Sequence, residues 1–164
     1  MAKTLSRAPD APLYEEDFYV WTQRQAELLR KGGFAGLDLP HLIEEVEDLG
    51  KSQQREVFSR TQQIIRHLLK LHFSASFDAR RGWRQMVGEQ RDEIELVLTP
   101  SLRRELGNSL AARYERARRS ALRDLSDHGE RLVDVPDACP YSIVQILDPD
   151  WLPENVHGIE DPAP

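Results

Sequence analysis

Between Val57 and His72 the apolar residues keep to one side of a helix. Val57, Thr61, Ile64, Leu68 and Leu71 form a line, and Ile65, Leu69 and His72 widen it. This pattern predicts a helix at the centre of the core, ending near Phe73. Upstream, Phe18, Trp21, Leu28 and Leu29 keep helical spacing around one polar break, Gln25. They predict a first helix from about Tyr14 to Lys31, with Phe18 and Trp21 in the core and Gly32 and Gly33 stopping it. The linker GGFAGLD leads to a second helix in which Asp38 caps the first amides and Pro40 sits in the first turn. Gly50, followed by Lys51 and the capping residue Ser52, predicts a break before the third helix.

The turn SASFDARRG precedes a fourth helix with Trp83, Met86, Val87, Ile94, Val97 and Leu98 apolar. Thr99 and Pro100 then supply a cap and a first-turn proline for a fifth. Its inward positions are Leu102, Leu106, Leu110, Tyr114, Ala117, Ala121 and Leu125. After about Asp127 prolines punctuate the chain, and only Tyr141 to Leu147 reads as helix. Ile143, Ile146, Leu147 and Trp151 are placed to fasten this segment to the bundle, whereas GIEDPAP reads as free. The pattern as a whole predicts an all-α fold: an antiparallel bundle of four or five helices with an irregular C-terminal wrapping segment. Residues 1–13 read as a flexible arm, 14–153 as a single helical domain and 154–164 as a flexible tail.

Composition agrees with that plan. A chain of 164 residues, 40% hydrophobic and 30% charged, is long enough for one core and favours helix over strand. The single cysteine, Cys139, excludes an intrachain disulfide and suits a reducing compartment. MAKTLSRAPDAP lacks the apolar stretch of a signal peptide, and no uncharged run approaches the ~20 residues of a membrane span. The expectation is a soluble, cytoplasmic protein with no membrane contact. Its net charge of -6 is unevenly spread. Lys plus Arg against Asp plus Glu number 10 against 11 in residues 1–76, 11 against 8 in 77–126, and 1 against 9 in 127–164. All eleven cations of the middle section are arginines, which suit planar pairing with carboxylates or phosphates.

Three constellations carry possible chemistry. LIEEVEDLG, Leu42 to Gly50, sets Glu44, Glu45, Glu47 and Asp48 within five residues. With Glu44 at 0° and about 100° per residue, Leu42, Val46 and Leu49 gather at about 140° to 200° and should form the buried stripe. Glu45 and Glu47 flank that stripe, while Glu44 and Asp48 point outward, as on any amphipathic helix. Like charges four residues apart nonetheless repel unless a cation intervenes. A metal is one such cation, yet neither the Glu-x-x-His pattern of di-iron bundles nor the His-Glu-x-x-His zinc helix occurs. On the third helix His72 falls inside the apolar arc as a core or boundary histidine, and His67 lies at its edge beside Lys70.

The second constellation, RRGWRQMVGEQR, surrounds Trp83 with Arg80, Arg81, Arg84 and Arg91. It suits a stacked anion or nucleotide, and equally a helix start with solvated arginines around one core tryptophan. The stripe of Arg116, Arg119 and Arg123 reads as surface, and the acidic balance with no recognisable motif argues against nucleic acid. Third, Cys139 precedes a short helix whose dipole would favour a thiolate; a half-buried packing role is the plainer reading, since the sequence names no base for it. Serine-nucleophile elbows, phosphate-cradling glycine loops and dinucleotide fingerprints are absent.

Several stretches in order, YEEDFYVW, LIEEVEDLGKS, HLLKL, WRQMVGEQR and CPYSIVQILD followed by DWLP, resemble the bacterial domain-of-unknown-function family twenty-nine. The likeness covers about residues 14–153. It implies a small, mostly helical protein and no assigned activity. It also implies a motif set here formed by Asp17, Trp21, Glu44, Glu45, Glu47, His67, Lys70, Trp83, Arg84 and Arg91. Their mixture suggests a polar cluster in which the second helix faces the His67 and Arg84 edges of the next two, as a site or as a structural clasp. The resulting expectation is a non-enzymatic interaction or regulatory module of the bacterial cytoplasm, with a protein partner or self-association and no cofactor. One alternative is a metal-dependent or acid–base enzyme using Glu44, Glu47 and His67, with a divalent metal among them. The other is anion or nucleotide binding through Trp83 and its arginines.

Overall fold

Short polar side chains, proline and glycine set the helix ends of this chain. The computed structural model describes residues 11–130 and 134–160, the side chains of Ala11 and Pro12 excepted. Its helices are α1 (Ala11–Glu16), α2 (Phe18–Arg30), α3 (Leu39–Phe73), α4 (Arg80–Glu95), α5 (Pro100–Asn108), α6 (Leu110–Asp127) and α7 (Ile143–Leu147), with a 3-10 turn at Phe34–Gly36. No strand occurs among the described residues, so the fold is an all-α bundle, as the periodicity predicts. The chain divides into two compact units, Met1–Ser52 and Gln53–Pro164.

Three helix boundaries differ from expectation. The first helix is two, because the Asp17 carboxylate accepts from the Val20 N–H at 3.0 Å and caps α2. A cap that serves a new helix ends the old one. The second and third expected helices are instead one, α3, which runs through Gly50 without a break. Glycine in a helix interior costs only about 1 kcal/mol relative to alanine, too little to outweigh the hydrogen bonds on either side. The fifth expected helix divides at Ser109, whose N–H bonds back to Glu105 O and Leu106 O. Elsewhere the signals hold: Gly32 adopts φ 69° just past α2, Thr99 Oγ1 accepts from Leu102 N–H, and Pro100 opens α5.

In the second unit the core forms around α3. Val57, Thr61, Ile64, Leu68 and Leu71, the line read from the sequence, are fully buried, as are Ile65 and Leu69. Val87 and Ile94 from α4 and Tyr114, Ala117 and Ala121 from α6 close over this face. Ile146 of α7 is fully buried in the same core, with Leu147 and Trp151 packed on it. The segment from 154 is held as well, where the sequence reads as a flexible tail. Asn155 Nδ2 donates to Leu71 O and Ser74 O at 2.8 and 2.9 Å, and the Val156 N–H donates to His72 O at 2.9 Å. His157 Nε2 lies 3.1 Å from Phe73 O. The last carbonyls of α3, left without intrahelical partners, are thus satisfied by the chain's end. Residues 1–10 of the expected arm and 161–164 of the expected tail lie outside the described residues.

In the first unit Trp21 is buried but Phe18 is half-exposed, against the expectation that both are core. Gln25, the polar break in α2, is buried too: its Oε1 accepts from the Asp38 N–H at 2.8 Å.

Candidate functional site

The acidic stretch sits on the part of α3 that belongs to the first unit. Its covered face carries His41, Leu42 and Glu45, each half-buried, and not the stripe of Leu42, Val46 and Leu49 expected from the sequence. Tyr14 explains why. Its ring stacks on His41 at 4.0 Å between centroids, and its hydroxyl donates to Glu45 Oε1 at 2.5 Å. That bond, which the phenol would lose on ionising, pushes the Tyr14 phenol up to about 12. His41 Nδ1 in turn lies 2.6 Å from Asp38 Oδ2, the oxygen that also accepts from the Trp21 indole at 3.3 Å. Asp38, expected as a cap, is therefore the buried anchor of an aromatic and acidic network.

Glu45 thus reaches a neighbouring helix while Glu44 is exposed. The cation beside Asp48 is Lys51 of the same helix, 3.0 Å away, with Glu47 at 3.3 Å. All three groups of that trio are exposed, so its contribution to stability is small. Of the expected stripe, Val46 and Leu49 stand in solvent at 67% and 72% exposed, and Ile43 beside them is 59% exposed.

In the second unit Lys70 lies between the His67 and Trp83 parts of the expected set. His67 is buried, with Nδ1 2.8 Å from Gln63 O. Burial pushes its ring below the usual value, and the nearby Lys70 and Arg66 charges act the same way. Lys70 is buried with its ammonium paired to Asp124 and placed over the Trp83 ring, 5.7 Å from the centroid. Arg66 completes the group with a two-pronged bond to Asp124, both prongs 2.7 Å. Burial alone would raise the Asp124 carboxyl; hydrogen bonds from Lys70 and Arg66 outweigh it and hold the group below the usual carboxylate range.

The arginines around Trp83 do different work from a solvated cluster. Arg80 is buried and donates to Leu71 O at 2.8 Å. Arg91 is buried and donates to Ile146 O, Trp151 O and Gln145 O at 3.0, 3.0 and 3.1 Å, which fastens the end of α7 and the segment after it. A guanidinium's planar set of donors suits three converging carbonyls. Arg84 is half-buried and engaged, and Arg81 is exposed. Arg116, Arg119 and Arg123 are exposed, as expected. His72, with Nδ1 3.0 Å from Tyr141 Oη, is the boundary histidine that its position predicts.

The acids Glu44, Glu45 and Glu47 belong to the first unit, and His67, Lys70, Trp83, Arg84 and Arg91 to the second. Among the described residues no three His, Cys, Asp or Glu side chains come together as a metal would require. Residues missing from the sequence reading are Tyr14, His41, Arg66 and Asp124. No spacing signal singles out Asp124, since Asp127 lies in the same turn of the arginine-rich helix.

The family model for a domain of unknown function, DUF29, matches residues 13–152. The chain belongs to the DUF29 family. No curated protein and no solved structure matches it. DUF29 has no assigned activity, so the chemistry of this DUF29 chain rests on the geometry above. Cys139 adds little: it is half-buried, its Sγ donates to Tyr141 O at 3.4 Å, and burial pushes the thiol up, opposite to what a nucleophile needs. The helix it was expected to head starts later, at Ile143, with Ser142 and Gln145 forming a capping box. No helix among the described residues is long and apolar enough to cross a membrane.

Proposed function

We propose that this DUF29 chain is a non-enzymatic interaction module of the bacterial cytoplasm that docks a cationic amphipathic helix of a partner protein. The observation that carries this reading is the apolar stripe of α3, Leu39, Ile43, Val46 and Leu49, exposed beside the half-buried face formed by His41, Leu42 and Glu45. Their spacing of four, three and three residues makes a seam of the kind that accepts another helix. Exposed apolar residues occur singly on any surface, but a contiguous row marks a contact site. Phe18, Tyr19, Val20, Leu29 and Phe34 are also exposed in the same unit.

Charge selects the partner. Residues 11–52 carry nine acids against four Lys plus Arg, and Glu47 borders the seam, with Glu44 and Asp48 exposed on the far side of the same helix. A second copy laid along this stripe would bring acid against acid, whereas a basic helix would complement it. Retention of proteins from native lysate is the test, comparing wild type with Val46→Asp/Leu49→Asp and with an Arg116→Gln/Arg119→Gln control. The reading expects binders that wild type and control retain at low salt, that salt releases, and that the α3 variant loses. Retention by all three alike, or self-association through α3, counts against it.

A further inference from the structure

Lys70 is only 7% exposed, yet it reaches the wall of a cleft of about 270 Å³ formed by the ends of α3 and α6 and the start of α4. The inner wall sets two cations, Arg66 and Lys70, against one carboxylate, Asp124. Lys70 and Arg66 thus share a single carboxylate as ion-pair partner. The other acid of the cleft, Glu130, is held by Ser74 Oγ at 2.8 Å and the Ala75 N–H at 2.9 Å. His128 lines the cleft with Nδ1 bound at 2.6 Å to Asp124 O. Ala79, at the cap position of α4, lines it as well and offers no side-chain acceptor, so the positive end of α4 adds to the field. Trp83 supplies a flat apolar wall beneath Lys70.

We propose that this cleft binds a small molecule bearing a carboxylate or phosphate on a flat ring, with the anion against Lys70 and Arg66 and the ring on Trp83. Its volume lies near the lower end of ligand clefts, which limits the ligand to one small ring system. A charge-assisted bond to a largely desolvated ammonium gives the anion its preference over a neutral isostere. Asp124 both positions Lys70 and competes with the ligand for it. No residue of the first unit lines this cleft.

Benzoate is the probe, with benzamide as neutral isostere and inorganic phosphate as the anion without a ring; the indole N–H signals of the folded chain report binding. Benzoate should shift the Trp83 signal saturably, with benzamide at least about tenfold weaker, the loss expected for one charge-assisted bond. Phosphate should bind more weakly than benzoate. Lys70→Gln should weaken benzoate about tenfold, while Asp124→Asn, which releases two cations, should tighten it severalfold. A purely structural trio predicts no gain in the second variant. Should Lys70→Gln fail to fold, Arg66→Gln, at a side chain 30% exposed, serves in its place and should weaken benzoate. Equal response to benzamide, a shift confined to other indoles, or Asp124→Asn no tighter than wild type overturns the proposal.

Discussion

At the scale of residues, the buried cations of the second unit act on backbone carbonyls and on one carboxylate. Arg91 holds three carbonyls of the C-terminal segment. Arg91→Met should therefore lower the unfolding free energy by roughly 2–4 kcal/mol, since buried acceptors lose their donors together. Arg91→Lys should recover only part of that, because one ammonium does not match a planar fork; urea unfolding measures both. The motif set pointed to Arg91, Lys70 and Trp83, but nothing in it named their partners. Gln145, Ile146 and Trp151 lie 54 to 60 positions from Arg91, and Asp124 lies 58 from Arg66, separations at which no spacing rule operates. Histidines add a pH signature. Burial holds His67 and His72 below the ordinary value of 6.5. The unfolded chain then takes up protons first as pH falls, so stability present above about pH 6.5 declines below it. His67→Gln should flatten the fall of the urea midpoint between about pH 7 and 5; an unchanged slope would remove His67 as a source.

Among elements, α3 decides most of the architecture. Its second half was legible because every member of the line Val57, Thr61, Ile64, Leu68 and Leu71 is covered on all sides, so residue type and burial coincide. Its first half was not. A helical wheel assigns the buried face to the apolar residues, but Tyr14 and His41 pack over Glu45 and leave Val46 and Leu49 in water. Gly50 misled for a related reason: a glycine followed by a capping residue resembles a helix end wherever the neighbouring turns are unknown. A Cβ built at Gly50 meets nothing within 4 Å, and the helix passes through unbroken. Gly50→Ala should accordingly stabilise the protein by about 0.5–1 kcal/mol, read as a rise in the thermal midpoint. The capping box of α7 gives the opposite sign: Ser142→Ala should cost about 1 kcal/mol.

For the molecule as a whole, burial and charge are divided between the units. The second unit holds two core clusters and the bonded C-terminal end of α3, while residues 11–52 carry an acidic surface with a row of exposed apolar side chains. The all-α plan and most helix positions were readable from periodicity, because a 3.6-residue repeat survives whatever the tertiary arrangement. The boundary after Ser52 falls inside α3, where no linker composition marks it. The α3 seam is also the central functional claim, and its most direct test is a titration of isotope-labelled protein with a basic amphipathic helical peptide of leucine and lysine. A scrambled peptide of equal charge, unable to present one apolar face, serves as reference. The account predicts saturable shifts of the Ile43, Val46 and Leu49 methyl signals, absent with the scrambled peptide, abolished by Val46→Asp/Leu49→Asp and weakened by salt. Equal binding of both peptides, or shifts that leave those three residues untouched, would contradict it.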